Sequence, residues 1–313
     1  MRTLERKGVQ LRPITALATC DLGCQAPAVS LLGVLLGDVP HQARGVLRLH
    51  GPDTTRFLQG TLSANLVPAP QGQAVPATLL TVKAKIISEL IALVHAEDTI
   101  DLLVPTDTLD AVAEHLDKHI IMDEVEVSRR DDAVVAALWG EGAVAPGRWA
   151  SAHPVSGALV VGTVEEVEAV LREATRADAA AFTAHRVEQG IAAWGHEVRP
   201  DFFPPEVGFV GAVSYDKGCY LGQEPLARIH ARGQVNRVMV QVELSEGVQA
   251  PVALAHPDRP EAGTLTTVAG TRGLAIVRRS FAEAGTVLTC EGASVTVASG
   301  PLGDDPGVGA RKG

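Results

Sequence analysis

Aromatic side chains are scarce in this chain: Phe, Tyr and Trp make up 4% of its 313 residues, so the core must rest on Ala, Val, Leu and Ile. Cysteine is sparse too. Four thiols do not make a disulfide scaffold, and a reducing cytoplasm is the expected setting. Cys20 and Cys24 lie close together, but two ligands with no His or further Cys beside them do not make a metal site, and none is expected. Long apolar runs are missing. The longest, around Ala28 to Leu36, is about half of the ~20 residues that a bilayer span needs, so no membrane partner is expected. Positive charge is also in deficit. A formal charge of −10 argues against direct nucleic-acid binding, which needs a cationic face, yet it leaves room for a local basic pocket that takes an anionic small molecule.

At the N-terminus, Arg2, Arg6, Lys7 and Arg12 precede a short apolar stretch ending at Cys20. The stretch is too short and too broken by Thr15 for an export signal, and residues 1–27 are expected to form a flexible tail. Beyond it, apolar or alternating stretches read as strands at Val46–His50, Thr78–Val82, Ile86–Val94, Thr99–Val104, Glu124–Val127, Ala133–Leu138 and Ala158–Val161. Leu109, Val112, Leu116 and Ile120 recur at helical spacing behind Asp107 as a cap, Thr163 and Glu166 form a capping box, and a further helix runs from Asp178 towards Gly190. This interleaving indicates an α+β module over residues 28–232. From Gln234 the pattern turns to short strands broken by Gly, Pro and Asp, with no helix. They lie at Val235–Leu244, Gly273–Arg278, Thr286–Cys290 and Ser294–Ala298, which predicts a small β-barrel domain over 233–298. The Gly-, Pro- and Asp-rich residues 299–313 are expected to be disordered.

The chemistry-bearing segment is Lys217-Gly218-Cys219-Tyr220-Leu221-Gly222-Gln223-Glu224. Glycines on either side of a thiol permit tight bends and close approach of a ligand to the main chain. Lys217, Arg228, Arg232 and Arg237 cluster around Cys219 in sequence, and nearby cations favour thiolate over thiol. The residues alone leave two readings, an inert packed cysteine or a poised sulfur able to attack, oxidise or ligate a metal. His185 and His230 are candidate bases, but no third residue orients either, so a cysteine hydrolase is not expected.

This segment, with Ala227-Arg228 after it, resembles the signature of YgfZ-type proteins, a branch of the superfamily containing the T-protein of the glycine cleavage system, a tetrahydrofolate-dependent aminomethyltransferase. The likeness continues in Leu47, Gly51 and Asp53, in Phe57-Leu58-Gln59-Gly60, in Arg186-x-Glu188-x-Gly190, in Gly195-x-Glu197 and Pro204-x-Glu206, and in Ile276-Val277-Arg278-Arg279. It covers most of residues 30–290. The resemblance implies an α+β, T-protein-like three-lobed ring of two α/β subdomains and a small C-terminal β-barrel, with tetrahydrofolate or a related reduced folate in the central hole. By position it gives Glu188 the pterin contact, with Arg186 and Glu89 in the folate site. Cys219 becomes the working residue, supported by Lys217, Gly218, Tyr220, Gly222, Gln223, Glu224 and Arg228.

Three departures narrow this. The aminomethyltransferases carry two adjacent aspartates on the strand facing the folate, and the matching stretch here offers only Ser88 and Glu89. Ala84 stands where glycine is usual, and Pro225 where a branched aliphatic is usual. Loss of the first acid is also what the YgfZ branch shows. The function implied is therefore that of a folate-binding accessory protein in iron–sulfur cluster assembly or repair. It would support tRNA modification indirectly, with assembly proteins or client cluster enzymes as partners. The alternatives are a tetrahydrofolate-dependent aminomethyltransferase or demethylase, and a folate-binding module whose cysteine is idle.

Overall fold

A computed structural model describes residues 30–68, 72–232, 235–245 and 247–303. The expected tail over 1–27 lies outside them, as do Cys20 and Cys24. In chain order the elements begin with β1 (Leu32–Leu35), β2 (Arg44–His50), α1 (Thr54–Thr61), β3 (Ala74–Leu80), β4 (Ile86–Ala96) and β5 (Thr99–Pro105). There follow α2 (Leu109–His119), β6 (Glu126–Arg129), β7 (Val134–Trp139), β8 (Trp149–Ser151), β9 (Gly157–Gly162), α3 (Val164–Leu171), β10 (Thr175–Arg176) and α4 (Ala179–Gln189). After α5 (Gln223–Arg232) come β11 (Arg237–Leu244), β12 (Val252–His256), β13 (Arg259–Ala269), β14 (Arg272–Arg278), β15 (Val287–Cys290) and β16 (Ala293–Ser299).

Two five-stranded sheets form the first two lobes, in the orders β3-β4-β5-β2-β6 and β10-β1-β7-β9-β8. They share a core: Ile91, Leu93 and Leu103 of one meet Val34, Val135, Ala137, Trp139 and Leu159 of the other. The outer face of the first sheet is covered by α1 and α2 through Phe57, Leu58, Val112 and Leu116, and that of the second by α3 through Val167 and Leu171. The third lobe is a closed barrel, β11-β14-β13-β12-β15-β16. Each fully buried Leu or Val in these cores contributes roughly 1.5–3 kcal/mol, so an aliphatic core of this extent holds the fold with few aromatics.

Local signals set the helix ends. Thr163 and Glu166 make the reciprocal capping box ahead of α3. Asp178 accepts from the Ala181 amide at 2.8 Å at the start of α4, and Gly190 ends that helix in the left-handed conformation at φ 66°. Asp107 does not cap α2. Thr108 occupies the cap position, and Asp107 instead accepts the Trp194 indole N–H at 2.9 Å. At the far end β16 runs to Ser299, and Leu302 donates its amide to the Met239 carbonyl at 2.8 Å, so the expected disordered segment begins inside ordered chain. No helix among the described residues is long and apolar enough to cross a membrane.

Candidate functional site

The Lys217–Glu224 segment is a fold-back loop ahead of α5, and most of its side chains work inwards. The Lys217 ammonium donates to the carbonyls of Gln59, Leu62 and Ala64 at 2.8, 2.5 and 2.6 Å, closing the open C-terminal end of α1. Burial pushes its pKa down to about 8, while three carbonyl acceptors favour the charged form. Its Nζ also lies 4.7 Å from the centre of the Tyr220 ring. Tyr220 is buried and donates its hydroxyl to the Ser214 carbonyl at 3.0 Å. Gly222 sits at φ 82°, where a Cβ would stand 2.7 Å from the Thr81 carbonyl oxygen. Gln223 returns a hydrogen bond to the Lys217 carbonyl at 3.3 Å.

Gly218 and Cys219 are left exposed at the crest. Nothing lies within 4 Å of where a Gly218 Cβ would be, so the space beside the thiol is open. Cys290, by contrast, is packed inside the barrel, where burial pushes its thiol pKa up.

The cations close to Cys219 in sequence are engaged elsewhere. Lys217 caps α1, Arg228 pairs with Glu224 one turn away on α5, and Arg237 reaches Glu206 at 3.2 Å. The expectation of a cationic shell from these three is therefore corrected, since their charges face carbonyls and carboxylates. Arg232's side chain lies outside the description. His230 stacks on Tyr215 at 4.1 Å, and His185 stacks on Trp139 at 5.4 Å, its pKa lowered by burial. Pro225 falls in the first turn of α5, where its missing N–H costs no helical bond. Ala84 adopts the left-handed conformation, φ 62°, in the turn ahead of β4 on which Gly222 rests.

The three expected folate residues separate. Glu188 is exposed on α4, and its carboxylate makes no hydrogen bond or ion pair among the described residues. Arg186, two positions earlier, turns inwards. It is 1% exposed and donates to Glu197 at 3.1 Å and to the Ile191 carbonyl at 2.7 Å. Glu197 in turn accepts from Thr266 at 2.7 Å and from the Ala193 amide at 3.0 Å, tying α4 to the barrel. Arg186 is thus a latch between lobes, its guanidinium committed to Glu197 and the Ile191 carbonyl.

Glu89 is likewise corrected. Alternation along β4 sends Leu90 and Ala92 to the helix side and Ile91 and Leu93 to the space between the sheets. Glu89 shares the second face, fully buried, where Arg44 donates to one carboxylate oxygen and His153 Nε2 lies 3.0 Å from the other. Burial acts to raise its pKa, but His153 and Arg44 outweigh it and hold the carboxyl below its usual range. Ser88 faces the opposite way, with its hydroxyl 2.8 Å from that of Thr108. Neither residue offers an acid to a bound ligand.

Comparison with known proteins bears on both fold and family. Residues 237–300 match the family model described as the CAF17 C-terminal beta-barrel domain. The fold as a whole is similar to the glycine cleavage system aminomethyltransferase T from Bartonella henselae, with a TM-score of 0.75 and 18% identity, covering 89% of this chain and 88% of that one. The tRNA-modifying protein YgfZ of Aliivibrio fischeri strain MJ11 is 24% identical over 62% of this chain and 67% of its own length. The chain is thus similar in sequence to YgfZ proteins and in fold to the T-protein. Two related proteins carry iron–sulfur names. The mitochondrial iron-sulfur cluster assembly factor IBA57 of Homo sapiens is 26% identical over 64% of this chain and 64% of its own length, and the homologue from Mycosarcoma maydis is 25% identical over 80% and 68%. The chain thus spans about two thirds of the length of these relatives.

Proposed function

We propose that this chain is an accessory factor in iron–sulfur cluster assembly, supporting tRNA modification through cluster enzymes, and that Cys219 is its working group. The observation that carries the reading is the division of labour within the Cys219 loop. Lys217, Tyr220, Gly222 and Gln223 each fix the loop to the fold, and the exposed thiol at its crest has no partner among the described residues and is open to a second molecule. The Cys219 thiol, presented at the crest of this loop, can give up its proton to solvent as its sulfur ligates iron carried by a partner protein; a barrel-buried sulfur such as Cys290 cannot be reached. The names of the YgfZ and IBA57 relatives support the same direction.

We further propose a reduced folate as resident cofactor, on the likeness to the T-protein and one feature of this chain. Glu188 presents an exposed, unpaired carboxylate, which can accept two parallel hydrogen bonds from the aminopyrimidinone edge of a pterin. A reduced folate, when bound, supplies one-carbon and reducing chemistry. What this chain's residues do is hold its pterin edge at Glu188. The sealed Glu89 and the inward Ser88 speak against the aminomethyltransferase alternative, whose chemistry needs an acid at the folate nitrogen.

In cells lacking the native copy, Cys219→Ser is expected to leave the protein folded and folate-competent while cluster-enzyme activity falls. Full complementation by that variant would remove the thiol from the mechanism. Methylene-folate formation from a methylamine donor by the purified, folate-loaded chain would favour the transferase reading instead.

A further inference from the structure

A cavity of about 580 Å³ lies between the segment 199–206, the turn ahead of β4 and the outer wall of the barrel. Neither Cys219 nor Glu188 lines it. Four cations do, Lys85, Arg199, Arg237 and Arg278, against two carboxylates, Glu206 and Glu261. This is a concentration of positive charge in a chain whose overall charge is −10.

The carboxylates leave much of that charge free. Glu206 is buried, and one of its oxygens accepts from the Phe203 amide at 3.0 Å while the other receives Arg237 at 3.2 Å. Glu261 is exposed, and it is its backbone carbonyl that receives Arg278 Nε at 3.0 Å. The Nη groups of Arg278 make no hydrogen bond among the described residues. Arg199 makes no hydrogen bond or ion pair there either, and its Nε is sealed from solvent without an acceptor.

Aromatic rings flank three of the cation heads, and Lys85 also donates to the Asp201 carbonyl at 2.7 Å and lies 4.0 Å from Glu206. Lys85 Nζ sits 3.5 Å from the centre of the Phe203 ring, and the Arg237 and Arg199 guanidinium carbons lie 4.4 and 5.4 Å from that of Phe202. Burial pushes the Lys85 ammonium down, Glu206 opposes this, and the neighbouring Arg237 adds to it; an anion in the cavity would relieve both burdens. The volume falls within the roughly 300–1,000 Å³ of small-molecule sites, and guanidinium forks match phosphate and carboxylate oxygens in pairs.

We infer that this cavity is a binding site for a small organic polyanion, a phosphate ester or a polycarboxylate, gripped by the free guanidinium groups of Arg199 and Arg278. The site is independent of the folate and cysteine reading, and its failure would leave that reading untouched.

The test is calorimetric titration of the full chain with pyrophosphate and, separately, with citrate, against sodium chloride at matched ionic strength. Expected is saturable one-to-one binding of at least one probe. Pyrophosphate alone would point to a phosphate ester and citrate alone to a polycarboxylate. Arg199→Gln and Arg278→Gln should each weaken the binding by about ten-fold, the effect of losing one charge-assisted bond. Ala253→Glu, which adds a carboxylate at an exposed position on the cavity wall, should do so as well and leaves both arginines in place. Melting temperatures without probe show whether each variant is folded. No saturable binding of either probe, binding that sodium chloride reproduces, or affinity unchanged in the folded variants would overturn the inference.

Discussion

Arg186 donates to Glu197 at 3.1 Å with both side chains sealed from solvent, so the arginine of the Arg-x-Glu-x-Gly segment joins two lobes while the glutamate two residues on faces outwards. Helical geometry is the reason. Positions two apart on a helix do not share a face, so one element serves structure with Arg186 and offers a carboxylate with Glu188.

Stability and folate affinity should therefore separate between these neighbours. Arg186→Ala leaves the Glu197 carboxylate buried without its cation and is expected to cost about 3–5 kcal/mol in urea unfolding. Glu188→Gln should change stability by less than about 0.5 kcal/mol, as exposed substitutions do, while weakening tetrahydrofolate binding. A stable Arg186→Ala protein that merely binds folate less well would reverse the assignment.

Gly222→Ala should loosen the Cys219 loop. At φ 82° and with Thr81's carbonyl oxygen 2.7 Å from the new Cβ, the loop must lift from the turn it rests on. Roughly 1–3 kcal/mol of destabilisation is expected, with faster hydrogen exchange through residues 217–223. Exchange unchanged from the parent would mean the contact is not what positions the loop.

Ala84→Gly should act in the opposite sense. A left-handed alanine costs roughly 1–2 kcal/mol, more than the extra chain entropy that glycine brings to the unfolded state, so a small gain of about 0.5 kcal/mol is expected in thermal unfolding. A loss would mean that the turn tolerates Cβ without strain.

Acid sensitivity should centre on Asp101. Burial acts to raise its pKa, but hydrogen bonds from His95 at 3.0 Å and from Arg48 at 2.7 and 2.8 Å outweigh it and hold the carboxyl far below its usual value of 3.8. A depressed folded-state pKa gives stability that is fully present above the unfolded value and is lost as the pH falls through and below it. Asp101→Asn should be less stable than the parent at pH 7 and show a shallower loss between pH 5 and 2. Parallel acid limbs in urea titrations would place the sensitivity on another carboxylate.

Much of this architecture was legible in periodicity. Strands β2, β4, β5, β7 and β9 fall where alternation and apolar runs put them, and the capping box at Thr163 and the glycine stop at Gly190 were readable because each is a local event. Strands β12 and β13 were not, because Pro251, Pro257 and Pro260 punctuate them and barrel closure supplies the missing preference. Helix α5 was hidden by Gly222 and Pro225, although proline in a first turn is harmless. The site was harder. Its motif was visible, but the partners of Lys217, Arg186 and Glu89 lie far off in sequence, and only the tertiary fold decides that Lys217 caps α1 rather than serving the thiol.

The placement of β1 has a consequence for biosynthesis. This first described strand lies between β10 and β7 of the second sheet, with Leu32 opposite Trp139, while the whole first sheet is spelled out between them. On the ribosome, β1 emerges early and must stay unpaired until β7 arrives, by which time the first lobe can already be complete. The second lobe thus closes around a strand made before its neighbours, and a chaperone that shields residues 32–35 would act within that interval.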